Sequence, residues 1–265
     1  MSSRQHAPVG TPSQGRPRPL GGEQVEGRRA VRELLAAKSR RVREVWLAEG
    51  TDPSPLLEEI SALCIAARVP LKRVGSNKLA SATRSDSHQG VVAMADPLAE
   101  VELEELAKPR AGSPPLLVVA DGITDPHNLG ALIRSAEVAG ATGLVLGQRR
   151  SAHITPTVAK AAAGAIEHLA MAVVPGIPAA LGELHKLGVW SVGLAPEARE
   201  SIYDLNLASE PLALVLGAEG TGLGRLVKQR CDTLVHIPQA GRTASLNVSV
   251  AGAVAFFEVA RRRSG

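Results

Sequence analysis

From position 114 onward, short apolar runs alternate with helix-spaced stretches. The runs cover residues 116–120, 143–146, 169–174, 189–194, 212–216 and 233–237. Several carry apolar residues at successive positions, so both faces of such a strand must be covered, as in a parallel sheet between layers of helices. The stretches 129–139, 157–165, 178–187 and 223–230 space their apolar residues for helices, and 246–262 predicts a long final one. Together they predict an α/β domain with a mostly parallel sheet.

Residues 23–97 read as a smaller α/β unit. Ala30, Val31, Leu34 and Leu35 share one helical face within 27–37, and 53–68 predicts a helix opened by a proline. Residues 44–48, 71–74 and 91–94 predict strands. Residues 98–113 combine Glu100, Glu102, Glu104 and Glu105 with Pro109 and Gly112, which predicts a linker. Residues 1–22 are rich in Pro, Arg, Ser and Gly and contain no acidic residue, which predicts a disordered basic tail.

Composition narrows the function. The chain has 265 residues, 45% hydrophobic and 21% charged, as expected of a globular protein. No apolar run approaches the ~18 residues of a membrane span, and the N-terminus lacks the apolar core of a secretory signal. Cys64 and Cys231 offer neither metal spacing nor a disulfide framework, which predicts a cytoplasmic protein without a structural metal. A net charge of +4 permits a polyanionic partner. Aromatic residues make up only 2% of the chain, which argues against stacking of successive bases on an aromatic platform. Nucleic-acid contacts would rest on Arg and Lys, backbone amides and hydroxyls. Lys38, Arg40, Arg41 and Arg43 form a cluster that suits phosphates as well as a solvated surface.

Three polar segments interrupt the apolar pattern. In Asp121-Gly-Ile-Thr-Asp-Pro-His-Asn-Leu-Gly-Ala-Leu-Ile-Arg134, Asn128 lies near a helix start, where capping is its plain role. Arg134 falls among Leu132, Ile133 and Ala136, so it calls for an anionic partner, either a phosphate or ribose ligand or Asp121 or Asp125. In the second segment, Leu212 to Leu223, Glu219 follows a strand end, where open parallel sheets place ligands. Its Gly-Thr-Gly-Leu-Gly turn resembles a Rossmann glycine loop, but too few strand–helix units follow for that fold. In the third, Val235 to Ala251, Ser245 and Asn247 lie where a loop enters the last helix, a place that suits a cap or a polar ligand held on free amides.

The three segments resemble the three motifs of SpoU/TrmH-type RNA 2'-O-ribose methyltransferases of the SPOUT superfamily. The matching elements are N-L-G-A-x-x-R from Asn128 to Arg134, L-G-x-E-G-x-G-L from Leu216 to Leu223, and I-P-x-x-G-x-x-x-S-L-N-V-S-x-A from Ile237 to Ala251. Thr221 stands where relatives often carry Lys or Arg. Residues 23–97 resemble the family's small RNA substrate-binding domain, an L30e-like α/β fold.

The resemblance implies a SPOUT catalytic domain over 114–265 with a C-terminal trefoil knot, against the general rule that chains are unknotted. It implies S-adenosyl-L-methionine as donor, contacted by Gly217, Ile237 and Leu246, and catalytic positions at Asn128, Arg134, Glu219, Ser245 and Asn247. It also implies a homodimer in which one subunit completes the other's site, with no metal and no membrane. The two-part layout implies methylation of a guanosine ribose in the P loop of 23S ribosomal RNA. Transfer RNA, an antibiotic-site adenosine, and a non-catalytic role in ribosome assembly are the competing readings.

Overall fold

The computed structural model describes residues 20–84, 88–110, 112–149, 151, 153–242 and 245–264. The N-terminal unit holds β1 (Gln24–Glu26), α1 (Arg28–Ala37), β2 (Val42–Ala48), α2 (Pro55–Ala66), β3 (Leu71–Val74), α3 (Ser76–Ala82) and β4 (Val91–Ala95). Its sheet runs β1-β4-β2-β3, antiparallel except for the β2–β3 pair. α1 and α2 cover one face through Val31, Leu34, Ile60 and Cys64. Leu79 of α3 closes the other against Ala48, Val74 and Val92. α1 can start abruptly because Gly27 takes a φ of 95°, which a side chain would resist.

The C-terminal unit continues with α4 (Leu103–Leu106), β5 (Leu116–Asp121), α5 (Pro126–Val138), β6 (Gly143–Gly147), α6 (Pro156–Ala161), β7 (Ala170–Val174), α7 (Ile177–Lys186), β8 (Trp190–Leu194), β9 (Glu200–Ser201), β10 (Leu212–Gly217), α8 (Arg225–Arg230), β11 (Thr233–His236) and α9 (Val248–Ser264). The seven strands run β7-β6-β5-β10-β8-β11-β9 and pair in parallel throughout. One core packs α5, α6 and α9 on the sheet, with Leu132, Leu216 and Phe256 at its centre. The other packs α4, α7 and α8 against the opposite face around Leu117, Leu181 and Val215. The apolar-on-both-faces runs are therefore the strands of a sheet covered on both sides.

Several boundaries differ from the pattern-based expectation. Within the expected linker, α4 buries Leu103 and Leu106 in the second core, and Val101 N–H donates to Met171 O at 2.9 Å, so this acidic stretch is packed on the domain. The expected tail lies mostly outside the described residues, but Leu20 is buried and Gly22 N–H donates to Ile154 O at 3.1 Å. α5 starts three residues early because Asp125, rather than Asn128, caps it by accepting from His127 N–H at 3.0 Å. The expected helix over 157–165 stops at Ala161, where Ala163 and Gly164 take positive φ and a single 3-10 turn follows.

The two units are locked together by a buried ion pair. Arg40 Nη2 lies 2.6 Å from Glu167 Oε1, and their side chains are 6% and 0% exposed. Arg40 Nη1 also donates to the carbonyls of Gly22 and Asp96, each at 2.6 Å, and Ser39 Oγ donates to Glu167 at 3.1 Å. Of the basic cluster singled out in the sequence, Arg40 is thus a structural brace, and Arg43 pairs with Asp96 at 2.8 Å.

Candidate active site

The order of the sheet places β5 beside β10 and β10 beside β8, so the loops leaving their carboxyl ends converge. Asn128, in the first turn of α5, is buried, and its Nδ2 donates to Glu219 Oε2 at 3.1 Å. Asn247 Nδ2 donates to Glu219 Oε1 at 2.8 Å and to Asn128 Oδ1 at 2.9 Å. Asn247 Oδ1 in turn accepts from Ser249 N–H at 2.9 Å, which makes Asn247 the cap of α9. Each of the three motifs thus supplies one polar side chain to a closed triangle, and the Glu219 carboxylate receives both amides as charge-assisted bonds.

Beside this triangle lies an open cavity of about 140 Å³. Gly217, Glu219, Ile237, Ser245 and Leu246 all line it. One wall is apolar, from Leu194, Leu216, Val235 and Val248; the other is the backbone of the glycine turn. That turn is tightly wound: Gly222 N–H donates to Ala218 O at 2.8 Å, and Gly220 and Gly222 take φ of 79° and 65°. A Cβ on Gly217 would sit 2.1 Å from the Gly222 carbonyl carbon, so no side chain fits there. Asp121 Oδ2 holds the far end of the turn by accepting from Gly224 N–H at 2.8 Å.

Arg134 stands apart. It is exposed on α5 and faces a groove shared with Arg29 and Ala163, and it is absent from the lining of the cavity. Asp121 and Asp125 are committed to Gly224 and His127, and among the described residues nothing hydrogen-bonds or ion-pairs with Arg134. Residues outside the three motifs also line the cavity: Leu194, Ala195 and Pro196. The position of 195–196 at the end of a buried parallel strand is the signal that could have found them. Among the described residues no group of three His, Cys, Asp or Glu side chains could hold a metal ion, and no helix is long and apolar enough to cross a membrane.

The family model described as "SpoU rRNA Methylase family" matches residues 115–257, and that described as "RNA 2'-O ribose methyltransferase substrate binding" matches 24–101. This chain belongs to the SpoU rRNA methylase family. The 23S rRNA (guanosine-2'-O-)-methyltransferase RlmB of Pseudomonas putida is 43% identical over 244 residues, covering 91% of this chain and 97% of its own. The enzyme of the same name from Ralstonia nicotianae is 42% identical over 239 residues, covering 90% and 95%. Among solved structures, the SpoU methyltransferase AviRb from Streptomyces viridochromogenes, in complex with AdoMet, superposes with a TM-score of 0.75 at 24% identity over 91% of each chain, a likeness of fold. As a SpoU-family protein, the chain is an RNA methyltransferase.

Proposed function

We propose that this protein transfers a methyl group from S-adenosyl-L-methionine to the ribose 2'-hydroxyl of a guanosine in the P loop of 23S ribosomal RNA, in the cytoplasm. The observation that carries the reading is the triangle of Asn128, Glu219 and Asn247 at the edge of the cavity. The relatives named for 23S rRNA guanosine 2'-O-methylation match both units of the chain at about 40% identity, which favours ribosomal over transfer RNA.

The cavity's chemistry suits the donor. Leu216, Val235, Ile237 and Leu246 offer apolar surface, while the side-chain-free turn at Gly217 leaves backbone groups within reach of a polar ligand. When bound, S-adenosyl-L-methionine supplies an electrophilic methyl on a sulfonium. Glu219 and Asn247 fix the turn and the start of α9, so the cavity wall is rigid where the ligand is held. Ser245 is exposed and lines the cavity, and in this reading it contacts the target nucleotide. Arg134 supplies a permanent charge for the alkoxide developing on the ribose and for the adjacent phosphate. A guanidinium does not act as a base near neutral pH, so the 2'-hydroxyl proton leaves to phosphate or water.

Because Arg134 lies outside its own chain's cavity, the reading includes a homodimer in which each subunit offers Arg134 to the other. Exposed Leu246, just before α9, and exposed Val250 and Phe257, two turns apart on α9, give such a contact apolar surface. The reading also includes a trefoil knot. It is supported by the path of the chain, which leaves β11 beside β8 and β9, passes the glycine turn, and returns as α9 against α5.

The test is methyl transfer to unmodified 23S rRNA with the modified ribose mapped. A single 2'-O-methylguanosine in the P loop is expected. Modification elsewhere in ribosomal RNA or in tRNA would change the substrate, and RNA binding without transfer would favour an assembly factor.

A further inference from the structure

A groove separates α1 of the N-terminal unit from α5 and α6 of the catalytic unit. Arg28, Arg29 and Arg32 stand on one wall, and Arg134, Lys160 and His168 on the other. Its two halves differ in charge. Toward α2, Arg32 is answered by Glu33 and by Glu59 at 2.9 Å, and His168 Nε2 lies 3.1 Å from Glu33. Toward β1, Arg28 meets only neutral partners among the described residues, with Nε donating to Gln89 O and Nη1 to Ser54 Oγ, both at 3.0 Å. Glu26, the acid of that half, is fully buried and accepts from Gln24 Nε2 and Arg84 N–H at 2.8 Å. Arg29 and Arg134, which line both halves, are exposed, and among the described residues neither has a hydrogen bond or ion pair.

Two unanswered guanidiniums facing each other across a groove are a poor arrangement for stability and a good one for a polyanion. The spacing is fixed before any ligand arrives, because the buried Arg40–Glu167 pair ties the two walls together. Among the described residues no Phe, Tyr or Trp lines the groove, so its lining offers bases no aromatic stacking surface and reads charge instead.

We propose that Arg29 is an RNA-positioning residue. It grips a phosphate of the substrate strand from the N-terminal unit, opposite Arg134, and so leads the strand from the substrate-binding unit to the catalytic arginine. The occupant is a single strand of RNA held by its backbone. The inference rests on the methyltransferase reading above, and it assigns to Arg29 a role that none of the three motifs contains.

The experiment compares wild type, Arg29→Gln and Arg29→Lys as full chains on an unmodified 23S rRNA fragment that carries the target. Loss of one phosphate contact predicts about 5- to 20-fold weaker RNA binding for Arg29→Gln and a log-affinity against log-salt slope shallower by about one. KM should rise in parallel with kcat little changed, and the mapped nucleotide should stay the same. Arg29→Lys should recover most of the affinity, since it keeps the charge. Donor affinity and thermal midpoint should not move, which separates this role from a structural one. Unchanged RNA affinity and salt slope in Arg29→Gln would overturn the proposal, as would a fall in kcat at constant KM. If the wild type transfers no methyl group, the enzymatic reading fails by itself, and RNA binding by the same variants still decides the groove.

Discussion

Asn128 and Glu219 are 91 positions apart in sequence and meet at 3.1 Å, with Asn247 bonded to both. The pairing ties the first turn of α5 to the turn after β10, and Asn247 extends the tie to α9. Removing Glu219 or Asn247 takes a hydrogen-bond partner from the buried Asn128 amide, at a cost of about 1–3 kcal/mol. Asn247→Ala should therefore lower methyl transfer by roughly 10- to 100-fold and reduce stability by about 1–2 kcal/mol. Because the three side chains share their bonds, a double-mutant cycle on Asn128 and Glu219 should show losses smaller than the sum of the singles. Steady-state transfer and urea unfolding on the four proteins check both expectations.

Arg134 makes a contrasting case. It lines the groove and not the cavity, so Arg134→Ala should abolish turnover while leaving donor affinity unchanged. Arg134→Lys keeps the charge and loses the planar fork, and it should retain only a small fraction of activity. Calorimetric titration with the donor beside the transfer assay separates the two effects. Weakened donor binding in Arg134→Ala would mean that the arginine contacts the donor itself.

The parallel sheet was legible because runs such as 116–120 and 212–216 are apolar at every position, and only a sheet covered on both faces accommodates that. The candidate site was legible through its motifs, since Asn128, Glu219 and Asn247 are polar residues at the carboxyl ends of such strands or at the helix that follows. What the sequence could not supply was direction around a helix axis. Arg134 lies between one and two turns beyond Asn128 and faces elsewhere, so two residues of one motif serve different surfaces. The short β1 and α3 escaped notice because three or seven residues carry too little periodicity to register. The acidic stretch at 98–113 looked like a linker because it sets Glu100, Glu102, Glu104 and Glu105 beside Pro109 and Gly112, yet Leu103 and Leu106, with Val101 and Ala107 beside them, seat it on the second core.

The Arg40–Glu167 pair should behave as a buried ion pair, costly to break from one side. Arg40→Ala strands the Glu167 carboxylate and also takes the donor from the carbonyls of Gly22 and Asp96, so a loss of about 3–5 kcal/mol is expected. Arg40→Met combined with Glu167→Leu removes both charges and should recover a large part of that loss. If the pair sets the width of the groove, the double variant should still bind the donor normally but bind RNA less tightly. Urea unfolding and RNA binding measured on both variants test the two halves of this expectation.

The last helix is held by a carboxylate whose titration should be visible in stability. Glu258 is buried and accepts from Arg261 at 2.7 and 2.8 Å and from Arg262 at 2.7 Å. The Arg261 bonds, with Arg262 adding to them against the cost of burial, hold its pKa down from 4.5 to about 2. A carboxylate depressed in the folded state stabilises it above the unfolded value, and that contribution drains away as pH falls from about 4.5 toward about 2. Arg261 stands 67% exposed, so solvent screening trims the contribution to roughly 1 kcal/mol. Glu258→Gln should therefore lower the thermal midpoint at pH 7 by about 2–4 °C. The gap from wild type should narrow between pH 4.5 and pH 3, as followed by circular dichroism melts. A gap that stayed constant across this range would mean that Glu258 holds the helix by packing and hydrogen bonding that do not depend on its charge.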